Sequence, residues 1–196
     1  MVAITARGEA TRQRIVAGAA QLLRDRGVAN VRIDDVCAAT GTGKSQVFHY
    51  FPKGKADLLV AAAEHEAEAV IADQLPYLDD LSSWQAWLSW RELVVQRYEE
   101  LGRSCPLAVL TSQLDTPEVR DRIVNGVLST WTTKVQVGIG SMQAKGLIDG
   151  DIDAGQGASA VVAGIYGGVV ILLATGSTEH LRASLDGSLS LLGAPQ

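Results

Sequence analysis

Apolar residues recur at every third or fourth position along nearly the whole chain, which is the spacing of one face of an α-helix. The first stripe contains Ile15, Ala19 and Leu22, and it ends where Arg26 and Gly27 suit a helix C-terminus. The last stripe lies between residues 178 and 192 and consists of leucines at spacings of three or four: Leu181, Leu185, Leu189 and Leu192. The whole pattern predicts nine helices and no convincing strand, and therefore an all-α fold.

Breaks in this pattern divide the N-terminal part of the chain into short helices. A second helix is predicted over residues 33–40, with Val36 and Ala39 directed inward, and a third helix ends before Pro52. Between them lies Gly41-Thr42-Gly43, which has the glycines of a tight turn. Two short helices across such a turn predict a helix-turn-helix.

Capping residues and prolines set the boundaries of the later helices. Ser82 and Gln85 have the spacing of a capping box, and Thr116-Pro117 has the N-cap and first-turn residues of another helix start. The predicted later helices span residues 55–74, 82–102, 105–114, 116–145, 153–175 and 178–192.

The charge of the chain is unevenly distributed. Its net charge is −5, which taken alone disfavours a partner that is a polyanion. Residues 1–60, however, carry nine Lys and Arg against five Asp and Glu, whereas residues 61–196 carry eight against seventeen. A basic N-terminal segment on an acidic body is typical of a protein that holds nucleic acid at one end.

The segment around the predicted turn carries a family resemblance. Residues 41–58 read Gly-Thr-Gly-Lys-Ser-Gln-Val-Phe-His-Tyr-Phe-Pro-Lys-Gly-Lys-Ala-Asp-Leu, and together with the stripes before them residues 11–59 resemble the DNA-binding head of the TetR family. Phe51-Pro52-Lys53-Gly54-Lys55 and a later Cys105-Pro106-Leu107 are similar to one subgroup of that family. The resemblance implies a two-domain, nine-helix regulator with a three-helix head on a helical ligand-binding and dimerisation bundle.

Several positions depart from the family pattern. Thr42, Gly43, Ser45 and Gln46 replace the commoner Val, Ser, Gly and Thr, and Arg32 stands where a capping Ser or Thr is usual. These departures bear on which operator sequence is read rather than on the fold.

The third helix has a polar face suited to DNA. A helix of about two turns fits the major groove, where only side chains near its N-terminus reach base edges. Lys44 and Gln46 can donate to bases, while Thr42 and Ser45 can contact bases or phosphate. Val47 and Phe48 are expected to pack inward. The remaining predicted contacts are to the phosphate backbone and come from Arg32, His49, Tyr50 and Lys55.

An alternative reading of the same segment is a phosphate loop. Ala38 to Ser45 is one substitution from the Walker A pattern, and Gly41–Ser45 would then bind a nucleotide. Such a loop needs a buried strand ahead of it, but residues 31–40 have helical spacing and two adjacent acids, Asp34 and Asp35. We therefore expect no enzyme, no catalytic residues and no cofactor.

Large aromatic residues concentrate on the predicted helices after residue 80 and suggest the wall of a site for a small apolar or aromatic effector. Ordinary core packing is the commoner explanation for any one of them at helical spacing. Trp90, on a different predicted face from Trp87, is the least suited to a pocket. Cys105 is either a thiol activated at a helix start or a small buried residue. The candidate effector residues are Trp84, Trp87, Tyr98, Cys105, Trp131 and Tyr166.

The uncharged segment Gly157 to Gly176 is long enough to span a bilayer, but its Ala, Gly and Ser content favours a buried helix without a membrane. The family resemblance implies that the last two helices pair with their copies in a homodimer, and Gly164 and Gly168 would permit close helix approach there. Two cysteines and three histidines give neither a disulfide framework nor a zinc motif, so we expect a cytoplasmic protein without a metal.

These expectations combine into one hypothesis. Residues 1–54 form the helix-turn-helix domain that binds double-stranded operator DNA, and residues 55–196 form the ligand-sensing and dimerisation domain. Repression, rather than activation, is implied by the resemblance alone.

Overall fold

The structure is a computed structural model that describes residues 5–194. Within them the chain forms nine α-helices and two single-turn 3-10 helices, and it forms no β-strand, which confirms the predicted all-α class. The α-helices are α1 Ala6–Arg26, α2 Ile33–Thr40, α3 Lys44–Tyr50, α4 Lys55–Ala72, α5 Trp84–Leu101, α6 Pro106–Ser112, α7 Pro117–Ala144, α8 Ala154–Thr175 and α9 Glu179–Leu191.

Most helix ends lie where the capping residues predict them. Gly27 ends α1 with a positive φ of 76°, and its N–H donates to the Leu23 carbonyl. The Asp153 side chain accepts from the Gln156 N–H at 2.9 Å and so caps α8. The predicted capping box at Ser82 was wrong, because the N-cap of α5 is Ser83, whose hydroxyl accepts from the Ala86 N–H.

The chain divides into two compact units. The first comprises the chain up to Ala69 together with Pro106–Val124, and the second comprises Val70–Cys105 and the chain from Asn125 onward. The core of the first unit joins residues of α1 to α4 with Leu110, Leu114 and Ile123 from much later in the sequence. The predicted boundary at residue 54 separates the proposed DNA-binding residues from the rest of the chain. The compact first unit is larger, because α4, α6 and the start of α7 also pack in it.

In the second unit, α8 and α9 pack closely. A Cβ built on Gly168 would lie 2.5 Å from the Leu181 Cα, so the two backbones approach nearer than any larger residue allows. The Ser184 hydroxyl donates to the Gly164 carbonyl at 2.9 Å. The predicted leucine stripe of α9 is buried, as Leu181, Leu185 and Leu189 show. Gly164 and Gly168 therefore permit close packing within one chain.

The helix α8 is also the one described helix that is long and apolar enough to cross a bilayer by length and composition. In its most apolar window 39% of residues are buried within the protein. Tyr166, Val170 and Ile171 stay exposed on the side of the helix that this chain leaves uncovered.

Candidate nucleic-acid interface and buried aromatic cluster

A tight turn places α3 directly after α2. Gly41 ends α2 with a φ of 61°, in the left-handed region that favours glycine, and its N–H donates to the Cys37 carbonyl. The Thr42 N–H donates to the same carbonyl at 3.1 Å. Gly43 is then extended, and α3 begins at Lys44. The predicted helix-turn-helix is thus formed by α2, this turn and α3.

The Thr42 side chain lies inside the first unit. It is only 7% exposed, and its Oγ1 lies 2.7 Å from that of Thr40. Thr40 donates its hydroxyl hydrogen to the Val36 carbonyl, so Thr42 must be the donor between the two threonines. The expectation that Thr42 contacts DNA is not supported, because its hydroxyl holds the turn against α2. Ala39, expected inside, is exposed, and Thr40 takes the buried position.

One face of α3 is buried and the other is polar and exposed. Val47 is fully buried in the core of the first unit, whereas Lys44, Ser45, Gln46 and His49 are exposed. Phe48 was expected to pack inward, but 46% of it is exposed. A Cβ on Gly54 would lie 3.2 Å from the Phe48 ring, which shows that the ring lies over this glycine at the unit's surface.

The end of α3 is aromatic. The His49 and Tyr50 rings meet edge to face, with their centroids 5.0 Å apart. Tyr50 is half-buried, and Phe51, at the C-cap, is buried beneath the Arg12 guanidinium, which lies 5.7 Å from its ring centroid. These contacts fix the His49 and Tyr50 side chains beside the polar face.

Lys44, at the start of α3, pairs with an acid of α2. Its Nζ lies 2.8 Å from Asp34 Oδ1, and both side chains remain mostly exposed. The hydrogen bond to Asp34, and then the charge of Asp34, raise the pKa of Lys44. In the structure the ammonium therefore points from the start of α3 toward the first turn of α2.

Arg32 and Lys55 begin two helices. Arg32 is the exposed N-cap of α2, and since its side chain has no acceptor it cannot cap the helix. Only the reciprocal half of a capping box remains, in which Asp35 accepts from the Arg32 N–H at 2.8 Å. Arg32 and the half-buried Lys55 both contribute to the lining of one small apolar cavity, which lies between α1, α2 and α4 of this unit.

The second unit contains a buried aromatic cluster. Trp87 and Trp90 are both fully buried and meet edge to face, with centroids 5.9 Å apart. The expectation that Trp90 lies on a different face was wrong, because positions three apart on a helix share a face. The side-chain oxygen of buried Gln74 accepts from the indole N–H groups of Trp90 at 2.8 Å and Trp131 at 3.0 Å. Sequence reasoning missed Gln74, which follows α4 with no periodic signal.

The remaining effector candidates are dispersed. Tyr98 and Cys105 are buried, and burial, with a smaller effect of Cys105, raises the pKa of the Tyr98 phenol. Trp84 is half-buried at the start of α5. Tyr166 lies on α8 with 48% of its surface exposed, unlike the buried Trp87 and Trp90.

The comparison with known proteins places a family match on the helix-turn-helix. Residues 15–62 match the model for bacterial regulatory proteins of the tetR family. An uncharacterized HTH-type transcriptional regulator of Mycobacterium tuberculosis is 26% identical over 118 residues. The alignment spans 57% of this chain and 57% of that relative.

Solved structures extend the likeness to nearly the whole fold. A TetR transcriptional regulator from Chloroflexus aurantiacus is 24% identical, with a TM-score of 0.69 over 95% of this chain and 96% of that one. The SmeT–triclosan complex is 19% identical, with a TM-score of 0.64 over 93% of this chain and 91% of that one. At these identities the likeness shows the fold alone, and the family match is confined to residues 15–62.

The phosphate-loop alternative gains nothing from the structure. The residues ahead of Gly41–Ser45 form helix α2 rather than the buried strand that such a loop requires. Thr42, inside the would-be loop, is buried against Thr40.

Proposed function

We propose that this protein is a TetR-family transcriptional repressor that binds double-stranded operator DNA as a homodimer in the cytoplasm and releases it when a small apolar or aromatic effector binds. The observation that carries the proposal is the exposed polar face of α3 on a helix-turn-helix. An α-helix with its side chains is about 10–12 Å in diameter, which fits the major groove, about 12 Å wide.

The DNA contacts divide into two groups. Lys44, Ser45 and Gln46 lie on the first turn of α3, where side chains reach base edges. The expected phosphate contacts lie around them and come from Arg32, His49, Tyr50 and Lys55. The proposed DNA-binding domain is residues 1–54, whose positive net charge favours approach of this end to the duplex.

A homodimer would cover the apolar surface that α8 and α9 leave exposed. Val170 is 51% exposed on α8, and Leu191 is 83% exposed at the end of α9. Tyr166 and Ile171 are exposed on the same helix as Val170, and clusters of exposed apolar residues mark interaction surfaces. Pairing of these helices with their copies would bury Val170 and provide two heads for two operator half-sites.

The proposed sensing and dimerisation domain is residues 55–196, and the effector site lies among the aromatic residues of the second unit. Trp87, Tyr98, Cys105 and Trp131 are buried there, and their side chains favour an apolar or planar ligand. The SmeT structure, which shares the fold, holds triclosan. The effector releases DNA only if it binds more tightly to the conformation that binds DNA poorly, with α4 as the helix whose position differs.

The experiment that tests the proposal is selection of duplexes from a random library, followed by fluorescence-anisotropy titration of the selected sequence at two salt concentrations. We expect selective, salt-sensitive binding that Lys44→Ala weakens about tenfold, the effect of one good base contact. Lys145→Ala is the control, since it removes one exposed cation from the second unit. A library from which no sequence is enriched would contradict the proposal.

A further inference from the structure

On the exposed face of α3, Lys44 pairs with a charged residue of another helix. Its ammonium lies 2.8 Å from Asp34, which belongs to the first turn of α2. The side chains of Lys44 and Asp34 are 62% and 68% exposed, so the pair lies on the surface that would face DNA.

Asp34 lies in the first turn of α2, where its charge interacts favourably with the helix dipole, but it accepts no hydrogen bond from the start of that helix. The neighbouring Asp35 accepts from the Arg32 N–H at the helix start and lies 3.6 Å from Arg26. Asp34 instead projects into solvent toward α3. An exposed carboxylate beside the DNA-reading helix repels phosphate and so weakens binding to any duplex. Such a charge is useful at this position if it improves selectivity.

We propose that Asp34 determines DNA selectivity by holding the Lys44 ammonium at the start of α3, where base edges are read, and away from the phosphates. This inference rests on the proposed function. The ammonium has three N–H donors, so Lys44 can keep Asp34 and still donate to a guanine acceptor. A phosphate is itself an anion and is repelled by Asp34, so in this proposal Lys44 must leave Asp34 to pair with a phosphate at the groove rim. Lys44 therefore contributes to binding of the operator, where it contacts a base, but contributes little to binding of random DNA.

The exposed pair sets the size of the effect. Ion pairs between exposed side chains are weak, so loss of the pair is expected to change an affinity by about 2- to 5-fold. If the freed Lys44 neutralises a phosphate, the slope of log K against log salt concentration becomes more negative by about 0.9 for each DNA-bound copy of the chain.

The test measures wild type, Asp34→Asn, Lys44→Met and the double variant against the sequence selected by wild type and against a scrambled duplex. Asp34→Asn keeps the side-chain shape and removes the charge. We expect it to bind scrambled DNA about 2- to 5-fold more tightly with a steeper salt dependence. Its affinity for the selected sequence should change less than this, so selectivity falls.

The double variant separates this mechanism from simple charge repulsion. In the Lys44→Met background, Asp34→Asn should raise the affinity for scrambled DNA no more than Asp25→Asn does. Asp25→Asn removes another exposed acid of the same unit. The proposal would be overturned if Asp34→Asn raised the affinity for scrambled DNA as much in the Lys44→Met background as in wild type. It would also be overturned if Asp34→Asn alone left the ratio of the two affinities unchanged. If wild type selects no sequence, the proposed function itself fails and the inference fails with it.

Discussion

Gln74 is a single polar residue on which two aromatic side chains depend. It is 1% exposed, and its side-chain oxygen accepts from Trp90 and Trp131 while its amide donates to the Val70 carbonyl. We expect Gln74→Leu to lower the free energy of unfolding by about 2–4 kcal/mol, because two buried indole N–H groups lose their acceptor.

Urea denaturation followed by far-ultraviolet circular dichroism at fixed protein concentration measures this loss. Gln85→Leu is the matched control, since Gln85 lies exposed on α5 and bonds only along its own helix to Ser89. Equal losses in the two variants would contradict the role given to Gln74.

Individual side-chain orientations were the least predictable feature of the sequence. The helix α3 has seven residues, too few for apolar periodicity to fix its phase, so Val47 was placed correctly and Phe48 was not. Thr42 has the residue type of a DNA contact, and only the three-dimensional pairing with Thr40 shows its hydroxyl to be occupied. The Lys44–Asp34 pair joins two helices and leaves no mark in the sequence.

Helices were more predictable, because glycine, proline and caps act locally. The start of α2 at Ile33, the start of α7 at Pro117 and the end of α5 before Gly102 follow directly from such residues. Ser82 and Ser83 are adjacent and chemically alike, so the sequence could not decide which of them caps α5.

The contact between α8 and α9 depends on a missing side chain. We expect Gly168→Ala to lower the unfolding free energy by about 1–3 kcal/mol, since its methyl group would meet the Leu181 backbone and separate the helices. Thermal unfolding provides the measurement, and Gly167→Ala is the control, because a Cβ there meets nothing within 4 Å in this chain. If Gly168→Ala unfolds at the wild-type temperature, the close approach is not needed.

At the scale of the whole molecule, the proposed homodimer can be tested at the exposed apolar surface of α8. We expect Val170→Asp to shift the protein from dimer to monomer in sedimentation-velocity experiments, because a carboxylate would be buried without a partner. Val137→Asp is the control, since Val137 is 67% exposed on α7, a helix to which we assign no role in dimerisation. A protein that is monomeric without any substitution would contradict the proposed homodimer.

The composition of the two units could not be predicted. Leu110, Leu114 and Ile123 lie about fifty residues or more beyond the end of the helix-turn-helix, and nothing local to them indicates that they pack in its core. A boundary at residue 54 is natural for a linear reading, because the recognisable motif ends there.

Such shared packing limits how this protein can be recombined with others of the same fold. A gene fusion cut at residue 54 would transfer the helix-turn-helix without α4 and the later residues that complete its hydrophobic core, and would leave Leu110 and Ile123 facing foreign side chains. A working chimaera must therefore carry Pro106–Val124 along with the N-terminal helices. The first unit is therefore built from two separate segments of one chain, and a single cut cannot exchange it intact.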